Sequence, residues 1–188
     1  MGGSGGCQEP DVAGRERLGG SDCERLRDGW LAQPVNAVTS LAYVAAGAAV
    51  LARTPGGVGR AGRAEVAALA ASLALVGLGS VAFHGPQPPG ARLMHDLPIV
   101  GVLGVLAATP ALRHRRGLPA VPGWSRRGGA LAVGLGALAG LAYLGGRTGA
   151  PTCDPDSPVQ LHGAWHMLSA GAFVAVSEFL RAPVGGPA

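Results

Sequence analysis

A chain of 188 residues with 48% hydrophobic and only 14% charged residues is not an ordinary soluble domain, whose charged share is nearer a quarter. Its 33 glycines and 4% aromatics point to apolar surface built from Ala, Leu, Val and Gly, the palette of close-packed membrane helices, while collagen and coiled coil are excluded by the lack of a three-residue Gly period and the scarcity of Glu and Lys. The net charge of +4 comes from Arg placed at the borders of apolar runs, as membrane-flanking charges are, so no nucleic-acid partner is expected.

Residues 1–28 open the chain as a Gly-rich, polar stretch with no apolar core of its own, which reads as a flexible N-terminal segment and not as a signal peptide. Five apolar runs follow, at 29–52, 66–91, 93–112, 128–146 and 157–177, each close to the ~20 residues needed to cross the hydrocarbon core. Helices are expected near 35–53, 64–84, 93–112, 127–145 and 159–181. The fold class is therefore all-α, a multi-pass transmembrane bundle of about five helices spanning residues 29–182, with a frayed tail at 183–188.

Arg53, Arg60 and Arg63 fall in the first connection, and Arg113, Arg115, Arg116, Arg126 and Arg127 in the third. Arg181 follows the last run. Five crossings put all of these on one side, which the positive-inside rule makes cytoplasmic. The expectation is a cell-membrane protein with its N-terminus outside and its C-terminus in the cytoplasm. Cys23 and Cys153 then share the outer face, where an oxidising compartment permits a disulfide and two free thiols are the alternative. Zinc held by cysteine is not expected, because no C-x-x-C pair exists.

Ionisable groups inside apolar runs are costly, roughly 2.5 to 3.5 kcal/mol for Asp at a helix centre, and such groups call for a reason. The string LHGAWHM sets His162 and His166 four residues apart, on one helical face and one turn along it, so both imidazoles can reach one ion. His84 ends the second helix in GSVAFHG, with Ser80 one turn before it on the same face, and Asp96 lies near the start of the third helix. All of these groups are expected at one depth, lining one pocket. Three imidazoles leave the fourth position of a tetrahedral zinc open to water, the arrangement of catalytic zinc. Asp96 is placed to accept a proton and the Ser80 hydroxyl to donate to an oxyanion. His95, beside Asp96, is expected to point elsewhere. Spacing alone leaves a helix-packing reading and a bis-histidine haem site open.

The string GSVAFHGPQPPGARLMHDLPIV, followed much later by HGAWHMLSA, resembles the alkaline ceramidase family of the CREST superfamily of membrane hydrolases. The shared pattern is Ser-x-x-x-His, then Asp, then His-x-x-x-His. The opening DCERLRDGWLAQPVNAVTSLAYV is similar to the N-terminal block of that family. The resemblance implies that His84, His162 and His166 hold zinc, that Asp96 acts on the zinc-bound water and that Ser80 assists at the same centre. Family members generally have seven helices, so this chain reads as a shortened member. Some carry a calcium site in the N-terminal block; Asp22 and Glu24 are its counterparts here, but Leu26 and Gln33 stand where stronger oxygen ligands belong, leaving a weak calcium set.

The function expected is zinc-dependent intramembrane hydrolysis of the amide bond of ceramide or a related N-acyl lipid drawn from the membrane, the substrate being neutral because the spans hold no buried Arg to pair with a phosphate. The alternatives are a receptor-like or structural membrane protein that binds zinc without significant turnover, and a haem-binding membrane cytochrome. Acyl length and oligomeric state are not encoded legibly.

Overall fold

The structure, a computed structural model, describes residues 17–115, 117 and 126–178. Residues 1–16 of the expected N-terminal segment, the expected tail at 183–188 and the expected continuation of the last helix to 181 lie outside the described residues.

The first apolar run forms two helices in near continuity, α1 (Pro34–Thr39) and α2 (Leu41–Ala52). Pro34 opens α1, where a missing N–H costs nothing and the fixed φ suits the first turn. The junction falls where Thr39 Oγ1 donates to the Val35 carbonyl at 2.7 Å and Ser40 Oγ to the Asn36 carbonyl at 2.7 Å. Hydroxyls that bond back to the preceding turn in this way bend helices. Four long helices follow: α3 (Arg60–His84), α4 (Ala91–Arg115), α5 (Arg126–Gly145) and α6 (Leu161–Ser177). Helices α3 and α4 begin earlier, and α4 ends later, than the apolar runs suggest. Apolarity marks the depth that must match hydrocarbon, whereas charged residues such as Arg60, Arg63 and Arg115 extend a helix beyond that depth.

Among the described residues, Pro34–Ala52, Arg60–His84, Ala91–Arg115 and Gly128–Gly145 are long and apolar enough to cross a membrane. Helix α6 is described over 17 residues. In packing order the helices run α4, α3, α2, α6, α5, with α1 wedged against α3 and α6. Helices α4 and α5 are thus the flanks. Only 11% and 22% of their apolar windows are buried inside the protein, against 50% for α3. Apolar faces of that extent, carrying Leu97, Val100, Leu103, Val133 and Leu141 outward, belong against lipid. The chain is an all-helical integral membrane protein.

The core lies where α2, α3 and α6 meet, around Tyr43, Val50, Leu69, Leu73, Val76 and Ala170. Small residues set the helix spacing. A Cβ on Gly47 would stand 2.7 Å from the Ala70 carbonyl oxygen, so α2 and α3 approach as closely as they do because neither carries bulk there.

Residues 17–28 belong to the stretch expected to be flexible, and here the structure corrects the sequence reading. They fold over the end of the bundle where α3 stops and α6 starts. Cys23 and Cys153 form a disulfide with Cα atoms 5.4 Å apart. The Cys23 N–H donates to Gly146 O at 2.8 Å and the Arg25 N–H to Pro155 O at 3.0 Å. Both oxygens of Glu24 accept backbone N–H groups at the start of α1, from Val35 and Asn36 at 2.8 Å each. These are donors that a helix start leaves unsatisfied. The stretch lacks an apolar core of its own and borrows the ends of the helices instead.

Candidate metal centre

Three imidazoles converge beneath this folded strap. His84 is the last residue of α3, while His162 and His166 occupy successive turns of α6. Their ligand-capable atoms all lie within 4.8 Å of one another, and each residue is buried. Ring centroids are 5.1 Å apart for His84 and His162, 5.3 Å for His84 and His166, and 4.7 Å for His162 and His166.

In His84 and His166 the other ring nitrogen is held by an oxygen. Gln33 Nε2 donates to the carbonyls of Gly19 and Glu24 at 2.9 and 2.8 Å. That fixes the amide so that its Oε1 lies 2.7 Å from His84 Nδ1. The amide oxygen can only accept, hence Nδ1 carries the proton and Nε2 keeps its lone pair. The same logic holds for His166. Its Nδ1 lies 3.2 Å from Thr39 Oγ1 and 3.4 Å from Ser40 Oγ, and both hydroxyls already donate to carbonyls of α1. They are left to accept from Nδ1–H. His162 Nδ1 sits 3.4 Å from Asp22 Oδ1, within ion-pair reach but outside hydrogen-bond geometry.

The result is that Nε2 of His84, His162 and His166 are all buried without a hydrogen-bond partner. A buried polar atom left unpaired costs roughly 1 to 3 kcal/mol. Three such atoms face one another, and in His84 and His166 the opposite nitrogen is set by an oxygen, as is usual for imidazole ligands. The donor set fits a metal ion.

A cavity of about 620 Å³ adjoins the cluster. Phe83, His84, His95, Asp96, Tyr143 and His162 are among the residues lining it, together with Asp22 from the strap. Asp22 is buried, and that burial pushes its carboxyl up to about 6 against the opposing pull of Arg147. Arg147 Nη1 lies 3.1 Å from Asp22 Oδ1. Trp165 walls the cluster, its ring 5.0 Å from that of His162 and 5.1 Å from that of His166.

The remaining expected site residues are distributed differently from the single pocket anticipated. Asp96 lines the polar cavity, exposed, with Oδ1 2.7 Å from His95 Nδ1. Ser80 is buried one turn before His84 and lines a separate apolar slot of about 160 Å³ with Tyr43, Ile99, Val102, Trp165 and Phe173. The slot and the cavity share Ile99 and Trp165. His95 does not point elsewhere: it packs on Phe83 at 4.5 Å and lines the cavity, 6.1 Å from the His84 ring. Asp22 and Glu24 do not gather into the weak calcium set. Asp22 turns to His162 and Arg147, and both oxygens of Glu24 cap α1.

Sequence reasoning missed Gln33, Thr39, Ser40 and the placement of Asp22. The QPVNAVTS string carries a signal in retrospect, since polar residues at the mouth of an apolar run need partners, but nothing in it names a histidine as the partner. No family model matches this chain, and neither a curated protein nor a solved structure matches it.

Proposed function

We propose that the protein is a zinc-dependent intramembrane hydrolase that cleaves the amide bond of ceramide or a related N-acyl lipid. The observation that carries the reading is the trio of buried, unpartnered Nε2 atoms beside a polar cavity that abuts an apolar slot. An all-imidazole set without thiolate suits zinc among the common ions. The motif resemblance supplies the substrate class. The orientation reading places the disulfide-bearing end outside the cell, where a disulfide persists.

His84, His162 and His166 would hold the ion. When bound, zinc lowers the pKa of a water to about 7 and polarises a carbonyl. The chain's own residues do the rest. The apolar slot receives hydrocarbon and so brings the amide toward the cavity. Asp96, steadied by His95, takes a proton from the attacking water as its oxygen bonds to the amide carbon. It returns that proton to the nitrogen as the C–N bond breaks, giving a fatty acid and an amine. Ser80, one turn from His84, is the hydroxyl available to an oxyanion.

A receptor-like protein that holds zinc without turnover is favoured by one observation, the exposure of Asp96. Haem fits less well, because three nitrogens directed at one another leave no plane for a macrocycle. Release of fatty acid and sphingoid base from ceramide in detergent, using zinc-loaded protein, tests the proposal. Asp96→Asn is expected to keep its zinc and lose ~10² to 10⁴ of the rate, and Ser80→Ala to lose ~10² to 10³. Equal cleavage by wild type and Asp96→Asn removes the assigned mechanism. Zinc-replete wild type that cleaves no N-acyl lipid favours the receptor-like reading.

A further inference from the structure

The sequence expectation of a neutral substrate rests on the absence of Arg within the spans. Folding adds what the spans lack, because Arg residues outside the hydrocarbon depth are brought to the cavity by the strap, by the first turn of α4 and by the loop after α5. Arg17, Arg92 and Arg147 all line the cavity that holds His84 and His162. Among the described residues two acids, Asp22 and Asp96, line it with them. Each acid is already engaged, Asp22 with Arg147 and Asp96 with His95. The formal balance of these five side chains is positive, and any divalent ion on the imidazoles adds to it.

Two of these guanidiniums are partly exposed to solvent. Arg147 is partly exposed and lies over the Tyr143 ring, 5.2 Å from its centroid, while it meets Asp22 through Nη1. Arg17 meets Asp28 at 3.3 Å through Nη1, with Asp28 itself fully exposed, and donates through Nη2 to the Arg27 carbonyl. A guanidinium offers five N–H donors in a planar fork, so these contacts do not exhaust it. Such a fork pairs with carboxylate or phosphate.

We infer that Arg17, Arg92 and Arg147 recognise an anionic group, a phosphate or a carboxylate, carried on the head of a lipid whose hydrocarbon occupies the adjoining apolar slot. This narrows the hydrolase reading above from ceramide to N-acyl lipids with an anionic head, and it rests on that reading only for the cleavage, not for the binding. A lipid source is favoured over a free anion because the slot lined by Ile99, Val102, Leu103, Trp165 and Phe173 opens from the same walls, sharing Ile99 and Trp165 with the cavity. Free phosphate would leave that slot unused.

Trp165 walls both spaces, so its fluorescence reports occupancy. The full chain is prepared with Trp30→Phe and Trp124→Phe, stripped of metal with a chelator and titrated in neutral detergent with three probes: N-palmitoylglycine, N-palmitoylethanolamine and inorganic phosphate. N-palmitoylglycine is expected to bind at least ~10-fold more tightly than N-palmitoylethanolamine. The gap should shrink as salt screens the charges and close in Arg17→Gln/Arg92→Gln, which leaves the Asp22 contact of Arg147 in place. Equal affinity for the two lipids overturns the inference, as does a preference that survives intact in the double variant. Inorganic phosphate binding as tightly as N-palmitoylglycine overturns the lipid source. Because the protein is metal-free, the titration succeeds or fails independently of hydrolysis: anion preference without any cleavage of N-acyl lipids by zinc-loaded protein defeats only the hydrolase reading.

Discussion

The two ends of the bundle both bury ionisable groups, and they do so with opposite results. At the end away from the strap, Glu65 of α3 and Arg113 of α4 face each other, with Arg113 Nε 2.9 Å from Glu65 Oε2 and side-chain exposures of 7% and 4%. Opposite charges meet, and the contact stitches α3 to α4. At the strap end three imidazoles meet instead, and their facing Nε2 atoms find no partner. A charge pair explains itself as structure, since each charge answers the desolvation of the other. An open cluster does not, and its unpaired atoms specify the chemistry of what is missing. What marks the strap end is that three unpartnered nitrogens face one another across one small space.

The sharpest way to break this contrast is to remove one member from each cluster. His166→Ala, His162→Ala or His84→Ala should each weaken metal binding by more than ~100-fold, beyond the 10–100-fold typical of losing an outer-shell partner. Elemental analysis after detergent purification should find little zinc. Glu65→Gln should do the reverse, lowering stability by about 3 kcal/mol because it removes a charge that answers buried Arg113 while leaving metal stoichiometry unchanged. Loss of metal in Glu65→Gln, or full zinc occupancy in His84→Ala, would merge the two clusters and end the distinction. His95→Ala is expected to keep the metal, since its Nδ1 is engaged by Asp96 and it stands outside the convergent trio.

The contrast also shows which parts of the molecule were legible in the sequence. Helices were, because hydrocarbon imposes a length and a composition that five runs satisfy. His162 and His166 were, because a four-residue step on a helix is one face by geometry alone. The pairing of Cys23 with Cys153 was open to either reading until the topology brought the two segments together. What stayed hidden came from loops. Residues 17–28 have no period, so nothing local announced that their order derives from α1, α5 and α6. Gln33 read as a missing calcium ligand and proved to be the acceptor that sets the tautomer of His84. The positions of Arg17 and Arg147 at the cavity are likewise products of folding, which is why the expectation of a neutral substrate drew on the spans alone.

Within the strap end, Gln33 separates what binds from what merely positions. Gln33→Leu keeps much of the volume but removes the acceptor of His84 Nδ1–H and the two donors to Gly19 and Glu24. Metal affinity should fall by ~10- to 100-fold, read by competition against a zinc-chelating dye. Gln33→Glu restores the acceptor and should recover part of the loss, which a purely structural role would not produce. The tight fit supports a related expectation: Gly19 has φ +83° and a Cβ there would run into the Gln33 amide, so Gly19→Ala should mimic Gln33→Leu in metal affinity. Wild-type affinity in Gln33→Leu would show that the His84 tautomer is set by the ion and not by the protein.

The smallest effect belongs to the strap's own surface. Arg25 Nε and Nη2 grip Asp156 at 2.8 and 2.6 Å, in full view of solvent, beside the disulfide that already ties the same two segments. The hydrogen bond from Arg25 holds the Asp156 carboxyl below its ordinary value of 3.8. An acid whose folded pKa is depressed adds stability above its unfolded pKa, and that contribution disappears as pH falls through the folded value. Asp156→Asn should therefore lower the melting temperature at neutral pH by on the order of one degree or less, since exposed pairs are screened and mobile. The difference should vanish as pH drops below 3.8, and it should shrink in high salt. Thermal melts of wild type and Asp156→Asn in detergent, repeated across pH and salt with zinc content measured alongside, would check this. A shift of several degrees, or any loss of zinc, would mean that the exposed pair reaches through the strap to Asp22 and His162, and that the two ends of the molecule differ less in their tolerance of surface change than the buried clusters imply.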